Sequence, residues 1–67
     1  MLTKRSFSLS GHRTSVALEP EFWDALAVLA QTRDMALAAL VAEIDAARVP
    51  ARPLASALRV YALRHPR

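Results

Sequence analysis

The chain has 67 residues, 54% of them hydrophobic, with no cysteine and a formal net charge of +3. That length sets one small domain as the prior and buries only about 60% of the unfolded surface, and the missing cysteines exclude a disulfide framework and a thiolate metal site. So much apolar side chain in so short a chain points to a second copy as partner, a common remedy for a small core.

The charge is partitioned along the chain. Residues 1–18 carry Lys4, Arg5 and Arg13 and no acid, a balance of +3. Residues 19–45 balance at −5 and residues 46–67 at +5. Such asymmetry favours one end that faces a polyanion over a uniformly basic coat. No apolar run approaches the roughly 18 residues of a membrane span. The start, MLTKRSFSLSGHR, lacks the apolar stretch of a secretory signal. A cytoplasmic protein with no membrane partner is the expectation.

Residues 4–9, KRSFSL, alternate, with Phe7 and Leu9 on one face and Ser6 and Ser8 on the other. Ser10-Gly11 is a turn signal. Residues 12–18 alternate again: Thr14, Val16 and Leu18 share one face, Arg13, Ser15 and Ala17 the other. Residues 1–11 form either an extra strand, paired as a hairpin around Ser10-Gly11, or a separate extended arm, and the pattern leans to two strands. A lone hairpin is marginal in water, so the strand over 12–18 is expected to pair with its counterpart in a second molecule.

Helix 1 is predicted over residues 20–33. Pro20 suits the first helical position, where its missing N–H is no loss. Glu21 and Asp24 lie in the first turn, where the helix dipole favours negative charge. Phe22, Trp23, Leu26, Leu29 and Ala30 make a broad apolar face. Helix 2 is predicted over 36–47, with Leu37, Leu40, Val41 and Ile44 at i, i+3, i+4, i+7 spacing. Residues 48–53, RVPARP, form a linker because neither proline fits inside a helix. Helix 3 is predicted over 53–64, with Leu54, Ala57, Leu58 and Tyr61 on one face and Val60 and Leu63 on another. No internal repeat and no low-complexity tract is evident.

Catalysis finds no support in these residues. His12 and His65 belong to no spaced ligand set, and Gly11, the only glycine, rules out a glycine-rich phosphate loop. Glu43 and Asp45, two apart on a helix, point in different directions and cannot share a proton. The chain is read as no enzyme, with no cofactor and no metal. A two-stranded ribbon, by contrast, fits the major groove of duplex DNA. Arg13 has the fork to bind guanine O6 and N7, Ser15 can donate or accept, and Ala17 offers a contact to a thymine methyl. Lys4 and Arg5 are the nearby cations for phosphates. Trp23 reads as a core or dimer-interface anchor rather than an exposed aromatic, and Arg59 and Arg64 read equally as phosphate contacts or a solvated face.

A strand, a proline-led amphipathic helix, a tight turn and a second amphipathic helix together resemble the ribbon-helix-helix superfamily, the Arc/MetJ/CopG-like DNA-binding dimers. The stretches GHRTSVALEPEFWDAL, LVAEID and LASALRVYAL look like one short bacterial branch of it, with a third C-terminal segment. The resemblance implies a mainly α fold with a short β ribbon, an intertwined homodimer with one ribbon strand per subunit, and an additional C-terminal helix. It implies base reading by Arg13, Ser15 and Ala17, and a phosphate held by the backbone amides of Ala36, Leu37 and Ala38, where a helix N-terminus favours an anion. The expected dimer core is Val16, Leu18, Phe22, Trp23, Leu26, Leu40 and Ile44. The turn departs from the family pattern. Asp34 stands where a glycine is usual, and Ala36, which cannot cap, stands where a serine or threonine is usual, a loss of about 0.5–2 kcal/mol.

The sequence-level reading is sequence-directed binding of double-stranded DNA by a homodimer, as a transcriptional repressor. The alternative is a protein-interaction module, antitoxin-like or a dimerisation domain, with weak or no DNA binding.

Overall fold

In the computed structural model, which describes residues 1–66, the Ser10-Gly11 turn closes a hairpin. β1 (Thr3–Leu9) and β2 (His12–Leu18) run antiparallel, with Thr3 opposite Leu18 and Leu9 opposite His12. The two turn residues both have positive φ, 51° at Ser10 and 80° at Gly11. That is the signature of the type I′ turn, whose twist matches that of the flanking strands. Of the two layouts open in the sequence, the hairpin is therefore the one adopted. Along one edge β2 takes its hydrogen bonds from β1 of its own chain. A two-residue link makes that pairing local, so its loop-closure cost is small.

Alternation then sorts the ribbon into two faces. Phe7, Leu9, Val16 and Leu18 point inward and are buried. α1 (Pro20–Thr32) packs beneath them, with Pro20 in its first turn and Trp23, Leu26, Leu29 and Ala30 buried. Trp23 ties the helix to β1. Its Nε1–H donates to the Thr3 carbonyl at 2.8 Å, and its ring lies 5.7 Å from that of Phe7.

α1 ends in a Schellman motif. The Asp34 amide donates to the Gln31 carbonyl at 3.0 Å and the Met35 amide to the Ala30 carbonyl at 2.9 Å. Asp34 itself sits at φ 56°, the left-handed position that usually takes glycine and that aspartate tolerates better than most residues. α2 (Leu37–Ala47) follows, with Leu40, Val41 and Ile44 buried. Ala36 occupies its N-cap and contributes no side-chain hydrogen bond.

In the linker, the Arg48 side chain donates to Asp45 Oδ1 at 2.8 Å and to the Arg52 carbonyl at 2.7 Å. α3 (Leu54–Arg64) then packs against both earlier helices and reaches β2. Leu54, Ala57 and Leu58 are buried, Tyr61 and Val60 are half-buried, and Leu63 stays 72% exposed. Of the two apolar faces predicted for this helix, one enters the core and the Leu63 edge does not.

Two ion pairs brace the helices from outside. Arg33 grips Glu43 with both terminal nitrogens, at 2.6 and 3.0 Å, and donates to the Tyr61 hydroxyl at 3.1 Å. The cluster joins the end of α1 to α2 and α3. Arg59 donates to Glu19 Oε1 at 3.0 Å, joining α3 to the β2–α1 junction. The hydrogen bonds from Arg33 hold the Glu43 carboxyl below its ordinary value of 4.5. A backbone hydrogen bond, and then Arg59, do the same for Glu19.

Two outcomes follow from this architecture. Gly11→Ala meets no atom within 4 Å, so its cost is conformational alone, about 1–2 kcal/mol, readable as a lower urea midpoint with an unchanged m-value. A carboxyl whose folded pKa is depressed stabilises the fold above the unfolded value and loses that contribution as pH falls through the folded one. Melting temperature should therefore drop as the solution is acidified below about pH 4.5, the ordinary value that Glu43 departs from. Glu43→Gln should melt lower than the parent at neutral pH and show a shallower acid loss.

Candidate nucleic-acid interface

The outward face of the hairpin is built from alternate residues of both strands. Its rows are Lys4 opposite Ala17, Ser6 opposite Ser15 and Ser8 opposite Arg13. Ala17 is half-buried and the other five are exposed. The two hydroxyls of the middle row lie 3.1 Å apart. The face is therefore low, polar and free of acids, with a cation at two diagonal corners. Neither Lys4 nor Arg13 has a carboxylate partner among the described residues. Four residues of strand, about 13 Å, separate their rows along the ribbon, close to four base-pair steps of about 3.4 Å each. A ribbon of this shape fits a major groove about 12 Å wide.

Arg13, Ser15 and Ala17, singled out from the sequence, lie together on this face. Lys4 joins them, whereas Arg5 falls on the opposite parity and places its guanidinium 5.3 Å over the Trp23 ring. The two cations paired in the sequence reading are thus separated by the pleat. Ala36, Leu37 and Ala38 stand at the start of α2, where the first amides of a helix have no intrahelical acceptor. Ala36 and Ala38 are exposed, Leu37 packs partly against the core, and the Asp34 carboxylate belongs to the same turn.

Val16, Leu18, Trp23, Leu26, Leu40 and Ile44, expected at a dimer core, are 0–6% exposed within the single chain. Phe22 is half-buried, with the Arg59 guanidinium 5.9 Å over its ring. Arg59 is thereby engaged twice, by this ring and by Glu19, while Arg64 has no carboxylate partner among the described residues.

Ser6 and Ser8 were missed as site residues. Their alternation with Phe7 and Leu9 was visible, but without the strand register nothing aligned them with Ser15 and Arg13. Among the described residues no three histidine, cysteine or carboxylate side chains gather as a metal site, and no single helix is long and apolar enough to cross a membrane.

Comparison with known proteins places a ribbon-helix-helix domain model over residues 2–66. No match was found among the curated proteins or among the solved structures. Proteins of the matched family are in general DNA-binding transcriptional regulators or antitoxins, and are typically not enzymes. With the match spanning almost the whole chain, and a two-stranded antiparallel ribbon preceding the helices, the chain belongs to the ribbon-helix-helix domain family, in a form that carries an extra C-terminal helix.

Proposed function

We propose that this chain binds duplex DNA by laying the outward face of the β1–β2 ribbon into the major groove, and that it represses transcription by occupying an operator. The observation that carries the reading is the composition of that face: exposed small polar side chains, two cations without carboxylate partners and no acid. Arg13 binds a guanine edge through two parallel hydrogen bonds, Ser15 adjusts as donor or acceptor, and Ala17 touches a thymine methyl. Lys4, Arg5 and the free amides at Ala36, Leu37 and Ala38 are the groups available for phosphates.

Charge distribution supports the same orientation. The pairs Arg33–Glu43, Arg48–Asp45 and Arg59–Glu19 each cancel an acid against a cation among the helices. Lys4 and Arg13 remain to draw a polyanion to the ribbon. Asp34 works against this at the start of α2, where it repels an incoming phosphate.

A second reading is a protein-interaction module. It is favoured by the same Asp34 carboxylate and by Val49 and Leu63, which are 61% and 72% exposed. Salt separates the two, since a DNA binder releases counterions and weakens steeply as salt rises. Duplex affinity measured from dilute to physiological salt should fall along a straight log–log line. Arg13→Ala should cost about 1–3 kcal/mol at the preferred site and relax one base position. Asp34→Asn, which keeps the left-handed backbone tolerance and removes the charge, should strengthen binding most at low salt. Absence of duplex binding even in dilute buffer would leave only the protein-interaction reading.

A further inference from the structure

A second set of cations without partners lies away from the ribbon. Residues 46–67 carry Arg48, Arg52, Arg59, Arg64 and Arg67 and no acid. Arg48 and Arg59 are taken by Asp45 and Glu19, whereas Arg52 and Arg64 have no carboxylate partner among the described residues. Both line one groove between the end of α2, the linker and α3. Its floor is apolar, with Ile44 from α2, Val49 from the linker, and Val60 and the Tyr61 ring from α3. The groove has a volume of about 330 Å³, is open to solvent and is lined by no acid.

Hydrogen bonds and stacking hold the walls in place. The Tyr61 hydroxyl accepts from Arg33 at 3.1 Å. On its other side the His65 ring stacks on the Tyr61 ring with centroids 4.0 Å apart, and His65 Nδ1 donates to the Tyr61 carbonyl at 3.0 Å. Arg48 pins the linker through Asp45 Oδ1 and the Arg52 carbonyl, at 2.8 and 2.7 Å. Val49, between these anchors, nevertheless stays 61% exposed. Walls fixed in advance lower the ordering cost of binding. Tyrosine and arginine are also among the side chains that carry most of the energy at protein interfaces.

We propose that this groove docks a short acidic segment of another protein, with apolar side chains of that segment on the floor of Ile44, Val49 and Val60 and its carboxylates on Arg52 and Arg64. Charge complementarity selects this occupant. A guanidinium holds a carboxylate through two parallel hydrogen bonds. A nucleic-acid backbone would use the arginines and leave the apolar floor uncovered. A wholly apolar partner would cover the floor and bury the guanidinium charges unpaired, which is costly. The lining shares no residue with the outward face of the ribbon, so docking here is independent of the DNA-binding reading.

The test is selection from a random phage-displayed peptide library on the full chain, with the chain carrying both Arg52→Glu and Arg64→Glu as counter-selection. Enriched peptides that carry acids beside large apolar residues are expected. A labelled copy of one such peptide should lose affinity on the order of tenfold with Arg52→Ala or with Arg64→Ala. Val49→Asp, which sets an acid on the floor, should weaken it at least as much, and Arg13→Ala should leave it unchanged. Arg52, Arg64 and Val49 are exposed, so the fold survives these substitutions, which circular dichroism verifies. No enrichment, enriched peptides without acids, or equal affinity for parent and variants would overturn the proposal. It would also be overturned if Arg52→Ala and Arg64→Ala lowered the salt slope of duplex binding and spared the peptide, which would assign these cations to phosphates. A change in the sedimentation of the protein alone on Val49→Asp would overturn it as well, by making the groove a contact between copies of this chain.

Discussion

β2 presents a row of N–H and C=O groups along one edge, and everything else in this molecule depends on β1 being there to meet them. The two-residue turn holds the strands in one register, and that register decides which side chains face inward. A slip of one residue would turn Phe7, Leu9, Val16 and Leu18 to solvent and drive the serines and Arg13 into the core. Burial of those four apolar residues beneath the ribbon and the small polar character of the outward row are therefore two consequences of one constraint.

The helices answer the demand that the ribbon creates. A two-stranded sheet is not stable alone, and its inward face needs a cover. α1 provides it through Trp23, whose ring meets Phe7 and whose N–H satisfies the Thr3 carbonyl near the free end of β1. α2 folds back after the Schellman turn at Asp34, and α3 adds Leu54, Ala57 and Leu58 to the same interior. The extra helix enlarges the apolar interior that the chain builds from its own residues. Leu18, Leu26, Leu40, Val41 and Leu58 are wholly buried.

Electrostatics follows from the packing. Counted along the chain, an acidic middle separates two basic ends. Folding brings the C-terminal arginines Arg48 and Arg59 onto Asp45 and Glu19, while Arg33 takes Glu43. Such exposed pairs contribute little to stability individually. Their larger effect is on the field: three of the six acids are cancelled among the helices, while Lys4 and Arg13 of the ribbon have no carboxylate partner among the described residues.

Much of the molecule was legible in the sequence because its signals are local. Alternation marked both strands, Pro20 marked the start of α1, the i, i+3, i+4, i+7 stripe marked α2, and Pro50 and Pro53 marked the linker. The grouping of Arg13, Ser15 and Ala17 on one face follows from the strand period of two and needs no partner. Which strand lies beside β2 is a different kind of question. Hydrogen-bonding edges carry no side-chain code, so the residues of β2 fit β1 of the same chain as well as a twin in another. Only the tertiary structure showed the pairing of β2 with β1, and with it the alignment of Ser6 and Ser8 with Ser15 and Arg13 on the outward face, the separation of Arg5 from Lys4, and the capture of Arg59 by Glu19, forty residues away. Periodicity fixes the direction of a side chain relative to its own backbone; contact between distant segments depends on register and packing, which no single segment contains.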